Sequence, residues 1–122
     1  MLPVRAHDRD RMSLLGLALE TSLRRAYAGP SAPRLEGTIA LQAGGMELTL
    51  RFSPSAVEIR QGTPRKYHAR LSGELVPLVE LAAGKLPVSA FFSNRVRASG
   101  DLRLLWRFAR LLRAARAAVE GA

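Results

Sequence analysis

One stretch constrains this chain more than any other: Met46-Glu47-Leu48-Thr49-Leu50-Arg51-Phe52, where apolar and polar side chains alternate without a break. Successive side chains of a strand point to opposite faces, so Met46, Leu48, Leu50 and Phe52 share one face and Glu47, Thr49 and Arg51 the other. The same period returns on both sides. Thr38 to Gln42 sets Ile39 beside Leu41, and Val57-Glu58-Ile59-Arg60 repeats the pattern. Lys66 to Leu71 places Tyr67, Ala69 and Leu71 inward, with Lys66, His68 and Arg70 outward. A sheet covered on both faces reads as continuous apolar runs, whereas these strands are polar at every second residue. One face is therefore solvated and the other covered by helices, which predicts a two-layer α+β domain.

Turn residues separate the strands. Gly44-Gly45 is a hairpin signal, and Ser53-Pro54-Ser55 and Gln61-Gly62-Thr63-Pro64 read as further turns. The covering helices are equally legible. Leu15, Leu19, Leu23 and Ala26 form one stripe of a helix over Leu14 to Tyr27. A second helix runs from Glu74 to Ala83, capped by Ser72 or Gly73, with Leu75, Leu78, Val79 and Ala82 as its apolar stripe and Gly84 at its end. In the basic stretch that follows, Val96 and Ala98 face one way and Arg95 and Arg97 the other. Asp101 then caps a last helix that reaches about Val119. At ~100° per residue, Leu104, Leu105, Phe108, Leu111, Leu112, Ala115 and Val119 fall on one side of it. Arg103, Arg107 and Arg110 lie nearly opposite, with the single tryptophan, Trp106, among them.

A chain of 122 residues makes one domain with a core of its own. We assign residues 1–12 to a mobile polar lead-in and 13–119 to the domain. Cysteine is absent, so there are neither disulfides nor thiolate metal ligands. The first residues lack the apolar segment of a signal peptide, and no run is long and apolar enough to span a bilayer. The expectation is a soluble cytoplasmic protein, peripheral to the membrane at most. Its net charge of +9 attracts polyanions without choosing among them.

Catalysis finds little to work with. The histidines are His7, in the lead-in, and His68, between Lys66 and Arg70 on a polar strand face. Glu58 can approach His68 across strands, which reads as a surface contact rather than a catalytic pair. No phosphate-cradling glycine loop, metal-ligand cluster or nucleophile elbow is present, so we expect neither an enzyme nor a cofactor. Arg51, Arg60, Lys66, Arg70, Arg95 and Arg97 could collect on the open sheet face as a phosphate footprint. Single-strand binders interleave exposed aromatics there, yet Phe52 and Tyr67 fall on the apolar side, and Glu47 and Glu58 interrupt the field. A solvated charged face is favoured over nucleic-acid binding. Trp106 among Arg103, Arg107 and Arg110 suits contact with anionic lipid, and equally a protein partner or a second copy of the chain. Periodicity does not separate core from cavity lining, because both demand apolar residues.

The last third of the chain resembles the sterol carrier protein 2 lipid-transfer domain family. The matching run is Ser72-Gly73-Glu74-Leu75, then Leu81-Ala82-Ala83-Gly84-Lys85-Leu86, Ala90-Phe91-Phe92-Ser93, Arg95-Val96-Arg97 and Gly100-Asp101-Leu102. Upstream, the strands between Thr38 and Leu71 agree in number and spacing, so the likeness covers about residues 35–112. Asn94 stands where the family usually has glycine, and asparagine tolerates the left-handed turn. Ala98 replaces a larger apolar residue, and the loop after Gly84-Lys85 is shortened. The resemblance implies a curved, five-stranded, mostly antiparallel sheet with helices on one face. Between them it implies an apolar tunnel for sterols, fatty acyl chains or other lipids, with no catalysis. The family also includes accessory lipid-binding proteins of isoprenoid-quinone biosynthesis. On this basis Leu48, Leu50, Phe52, Leu75, Val79, Phe91, Phe92, Leu104, Phe108 and Leu112 line or close the lipid site. Trp106, Arg103, Arg107 and Arg110 meet a membrane or a partner. The rivals are an interaction module with a filled core and, behind it, a nucleic-acid binder.

Overall fold

The alternating strands assemble as their parity requires, in a computed structural model that describes residues 4–6, 14–28, 35–54, 56–62, 65–85 and 93–120. The strands are β1 (Val4–Ala6), β2 (Gly37–Ala43), β3 (Met46–Phe52), β4 (Val57–Gln61), β5 (Ala69–Gly73) and β6 (Val96–Gly100). Helices α1 (Leu14–Ala28), α2 (Leu75–Ala82) and α3 (Leu102–Glu120) cover one face. The sheet order is β1-β4-β3-β2-β5-β6. Three pairs, β2 with β3, β3 with β4 and β5 with β6, are antiparallel, while β1 with β4 and β2 with β5 are parallel. This is the expected mostly antiparallel sheet with one short strand added at its edge.

The register brings the apolar parity of every strand to one face. Leu50 pairs with Ile39 on one side and Ile59 on the other, and Leu41 pairs with Leu48 and Leu71. All six side chains are buried. From the helix layer, Leu15, Leu19 and Leu23 of α1 and Phe108, Leu111 and Leu112 of α3 complete the core. Phe52 and Phe108 meet edge to face, ring centres 5.9 Å apart, and so join sheet to helix. Gly44 takes a φ of +60° at the first position of the two-residue β2–β3 turn, where a Cβ would be strained.

Several sequence expectations need correction. Val4–Ala6, placed in a mobile lead-in, forms an edge strand parallel to β4, with Val4 opposite Val57 and buried. Three residues are too few for a period to register, and it is β4 that supplies the pairing. The strand expected from Lys66 begins only at Ala69, and Tyr67, assigned inward, is 42% exposed. The cause is topological. β5 joins β2 in parallel, so the chain leaving β4 cannot turn back as a hairpin and must cross β3 and β2 first. That crossover passes over the outer face, where Thr49 Oγ1 donates to the Gly62 carbonyl at 2.7 Å. Ser72 and Gly73 belong to β5, and Glu74 occupies the cap position of α2 with no side-chain cap bond. On β6, Ala98 shares the parity of buried Val96 but is exposed.

Candidate functional site

The C-terminal helix is positioned at both ends. Asp101 Oδ1 accepts from the amides of Arg103 (3.0 Å) and Leu104 (3.2 Å), so the Gly-Asp pair fixes where α3 begins. Asn94, with φ 59°, makes the turn into β6 that delivers the chain there. Farther along, α3 passes the end of α2. There Gly84 closes α2 with a Schellman pair, its own amide bonding the Leu81 carbonyl and the Lys85 amide that of Glu80. A Cβ on Gly84 would stand 2.7 Å from Arg116 Cβ and 2.8 Å from the Leu112 carbonyl oxygen. Glycine thus lets the two helices touch. On its other side, α2 is pinned to α1 by Ser22 Oγ, which donates to the Ala82 carbonyl at 2.5 Å.

Two stripes of α3 do opposite things. Leu104, Leu105, Phe108, Leu111, Leu112 and Ala115 are buried. Leu102 and Trp106, one turn apart, are 61% and 59% exposed. Arg103, Arg107, Arg110 and Arg113 are exposed around them. Between this outer flank and the end of α2 lies a cavity of about 340 Å³. Leu81, Ala109, Ala114 and Trp106 give it apolar walls, and Lys85, Arg110 and Arg113 ring it with positive charge. Among the described residues, no acidic side chain lines it. The arrangement suits an apolar chain with an anionic end. Such sites are concave, mostly apolar and oriented by a few polar groups.

The sequence-predicted residues divide into groups. Leu48, Leu50, Phe52, Leu104, Phe108 and Leu112 are buried in the one core cluster of sheet and helices, where Phe52 and Phe108 meet. Leu75 and Val79 are half-buried at its margin, because α2 turns Pro77, Leu78, Leu81 and Ala82 inward instead. Phe91 and Phe92 lie outside the described residues. Trp106 and Arg110 border the cavity, whereas Arg103 and Arg107 stand on the exposed face beside it. Sequence reasoning missed Leu81, Ala109, Arg113 and Ala114 as lining residues. Only Gly84-Lys85 carried a signal, as a helix terminator. The rest depend on how α2 and α3 meet, which no local period encodes.

Among the described residues, no group of three or more His, Asp or Glu is placed to hold a metal ion, and no helix is long and apolar enough to cross a membrane. Burial pushes the Tyr27 hydroxyl up to about 12, and that hydroxyl has no hydrogen-bond partner among the described residues. It belongs to the core and not to the cavity.

Comparison with known proteins bears on this arrangement. A comparison with curated protein sequences finds no significant match. Among solved structures, the chain is similar to a UbiJ-SCP2 ubiquinone synthesis protein, with 19% identity, 80% of this chain and 76% of that one covered, and a TM-score of 0.56. It is also similar to palmitated SCP2L2 from Aedes aegypti, with 17% identity, 83% and 95% covered, and a TM-score of 0.60. The sterol carrier protein domain 2 of Helicoverpa armigera matches with 18% identity, 85% and 84% covered, and a TM-score of 0.59. Identities this low speak for the fold alone. The sequence itself matches the model of the SCP-2 sterol transfer family over residues 18–113, from α1 to well into α3. The one-sided sheet, its helical cover and this match agree: the chain belongs to the SCP-2 sterol transfer family.

Proposed function

We propose that this chain binds a hydrophobic lipid without transforming it, and that α3 is where the lipid enters and leaves. Family membership supports the ligand class, since lipid and sterol binding and transfer characterise the family as a whole. The observation that carries the site is the apolar, cation-rimmed cavity between the end of α2 and the flank of α3. An alkyl or isoprenoid tail lies against Leu81, Ala109, Ala114 and Trp106, each buried methylene contributing about 0.8 kcal/mol. Lys85, Arg110 and Arg113 receive a carboxylate or phosphate at its end. A longer tail parts α3 from the sheet and meets Leu48, Leu50, Phe52, Leu104, Phe108 and Leu112, with Leu75 and Val79 at the margin. The neighbours' names bring palmitate and ubiquinone synthesis into view, so a fatty acyl chain and an isoprenoid quinone intermediate join sterols as candidate ligands.

Loading takes place at an anionic membrane. Leu102 and Trp106 are exposed on one stripe of α3, flanked by Arg103, Arg107 and Arg110, the pattern of a helix that rests in a lipid interface. The single tryptophan serves as the reporter. Brominated fatty acid quenches Trp106 fluorescence saturably, and native mass spectrometry followed by lipid extraction finds a stoichiometric lipid on the purified protein. An empty protein whose fluorescence ignores the brominated lipid would sink the reading. The membrane step is tested apart: Trp106→Ala and Arg107→Glu weaken binding to phosphatidylglycerol vesicles, and unchanged binding refutes that step alone.

A further inference from the structure

The crossover from β4 to β5 does more than connect strands. Its described residues Gly62, Arg65, Lys66 and His68 border an open cleft of about 490 Å³ with the outward-facing Thr49, Arg51 and Arg60, on the side away from the helices and from the lipid cavity. Arg51 and Arg60 rise from its floor, and Arg65, Lys66 and His68 come from the crossover itself. The His68 ring is oriented by a backbone contact. Its Nδ1 accepts from the Thr38 amide at 2.9 Å, which leaves the proton of the neutral ring on Nε2 as a donor. Four cations thus line the cleft with no carboxylate among its described lining residues, and Glu58 stands 3.7 Å from Arg60. Glu47 shares the outer parity but is not among the lining residues.

From this we infer a second binding site, for a small molecule carrying two or more phosphoryl groups. Planar guanidinium groups match phosphate oxygens two at a time, and a lysine adds a point charge. The excess of positive charge calls for more than one phosphoryl group. The site's chemistry favours a small ligand over a macromolecule. Among the described residues, no aliphatic side chain and no Phe, Tyr or Trp lines the cleft, so it has neither the anchors of a bilayer contact nor the row of stacking platforms of a single-strand binder. Of the exposed large apolar side chains, Leu17, Val76, Leu102 and Trp106 sit on helices, in the other layer; Tyr67, between Lys66 and His68, is exposed but is not among the lining residues. The inference is independent of the lipid reading, which concerns the opposite side of the sheet.

Calorimetric titration of the full chain with inorganic tripolyphosphate at physiological ionic strength tests it. We expect saturable binding that Arg51→Ser, Arg65→Ser and Lys66→Ser together weaken by at least about tenfold. The control Arg25→Ser, Arg95→Ser and Arg97→Ser removes the same charge from exposed positions outside both the cleft and the lipid cavity and changes the affinity by no more than about twofold. NMR titration of the unmodified chain gives a readout that needs no variant: the Gly62 amide and the His68 ring shift together along the binding curve. Equal losses in the two triple variants would reduce the effect to net charge and overturn the site. So would the absence of saturable binding, or binding seen only with anionic vesicles or only with an oligonucleotide.

Discussion

Inner and outer faces of the sheet are made by the same strands, one residue out of phase. On the inner face Leu48, Leu50 and Ile59 are 2% exposed or less, packed under α1 and α3. On the outer face Glu47, Arg51 and Arg60 are exposed, yet Thr49, between two of them, is only 9% exposed. A crossing chain, not a packed layer, covers it. Burial on the inner side follows from apolar area and repeats with the strand period. On the outer side it is local, at Thr49, which is bonded to the Gly62 carbonyl, and at its cross-strand neighbour Ala40. A polar strand face is thus not uniformly solvated, and its cations differ: Arg95 is paired with Glu74 and Arg70 donates to Gln42, while Arg51, Arg65 and Lys66 gather in the cleft.

The largest effect expected from this contrast is on the inner side. Phe108→Ala removes a fully buried ring and its edge contact with Phe52, and should cost about 3–5 kcal/mol in urea denaturation. A loss under ~1 kcal/mol would mean that the interface between α3 and the sheet is loosely packed, blurring the distinction between faces.

Tyr27 comes next, as a polar group sealed on the apolar side. Its hydroxyl ionises at about 12 in the folded chain and near 10 when unfolded. The native state therefore keeps a proton that the unfolded state has released, and stability falls as pH rises through this window. The fall is on the order of 2–3 kcal/mol once pH passes the folded value. Tyr27→Phe removes that pH dependence without loss of stability at neutral pH, because the hydroxyl has no partner among the described residues. Denaturation curves of the two proteins at rising pH check both halves.

The smallest effect sharpens the outer face. Thr49→Val breaks the bond to the Gly62 carbonyl and should cost about 1 kcal/mol, whereas Arg97→Ser, on the open edge strand, stays within ~0.5 kcal/mol. Equal values would mean that the crossover adds nothing to the fold and that both outer positions behave as plain solvated surface.

How much was legible follows from the range of the interactions. The strand of Met46 to Phe52 was read to the residue, because alternation is a local property and its boundary coincides with a diglycine turn and a proline. Asp101 as the cap of α3 was legible for the same reason, its partners being two and three residues away. Tyr67 was misplaced because its neighbours alternate as a strand would, though the chain there crosses the sheet instead of joining it. Trp106 and its arginines were found by sequence, but the cavity beside them was not. Leu81, Lys85 and Arg113 face one another only because Gly84 lets two helices meet.

By itself, the sequence determined the class of the fold, the side of each strand that is buried, the start of the last helix and, through the run from Ser72 to Asp101, its family. Each rests on neighbours within a few residues, where side-chain direction is set by backbone geometry. Only the tertiary structure decided which strands pair, that Val4–Ala6 adds an edge, where the crossover runs and which flank of α3 is hollow. Those depend on contacts between residues far apart in the chain, chosen by the joint packing of all the elements, and no local pattern holds that information.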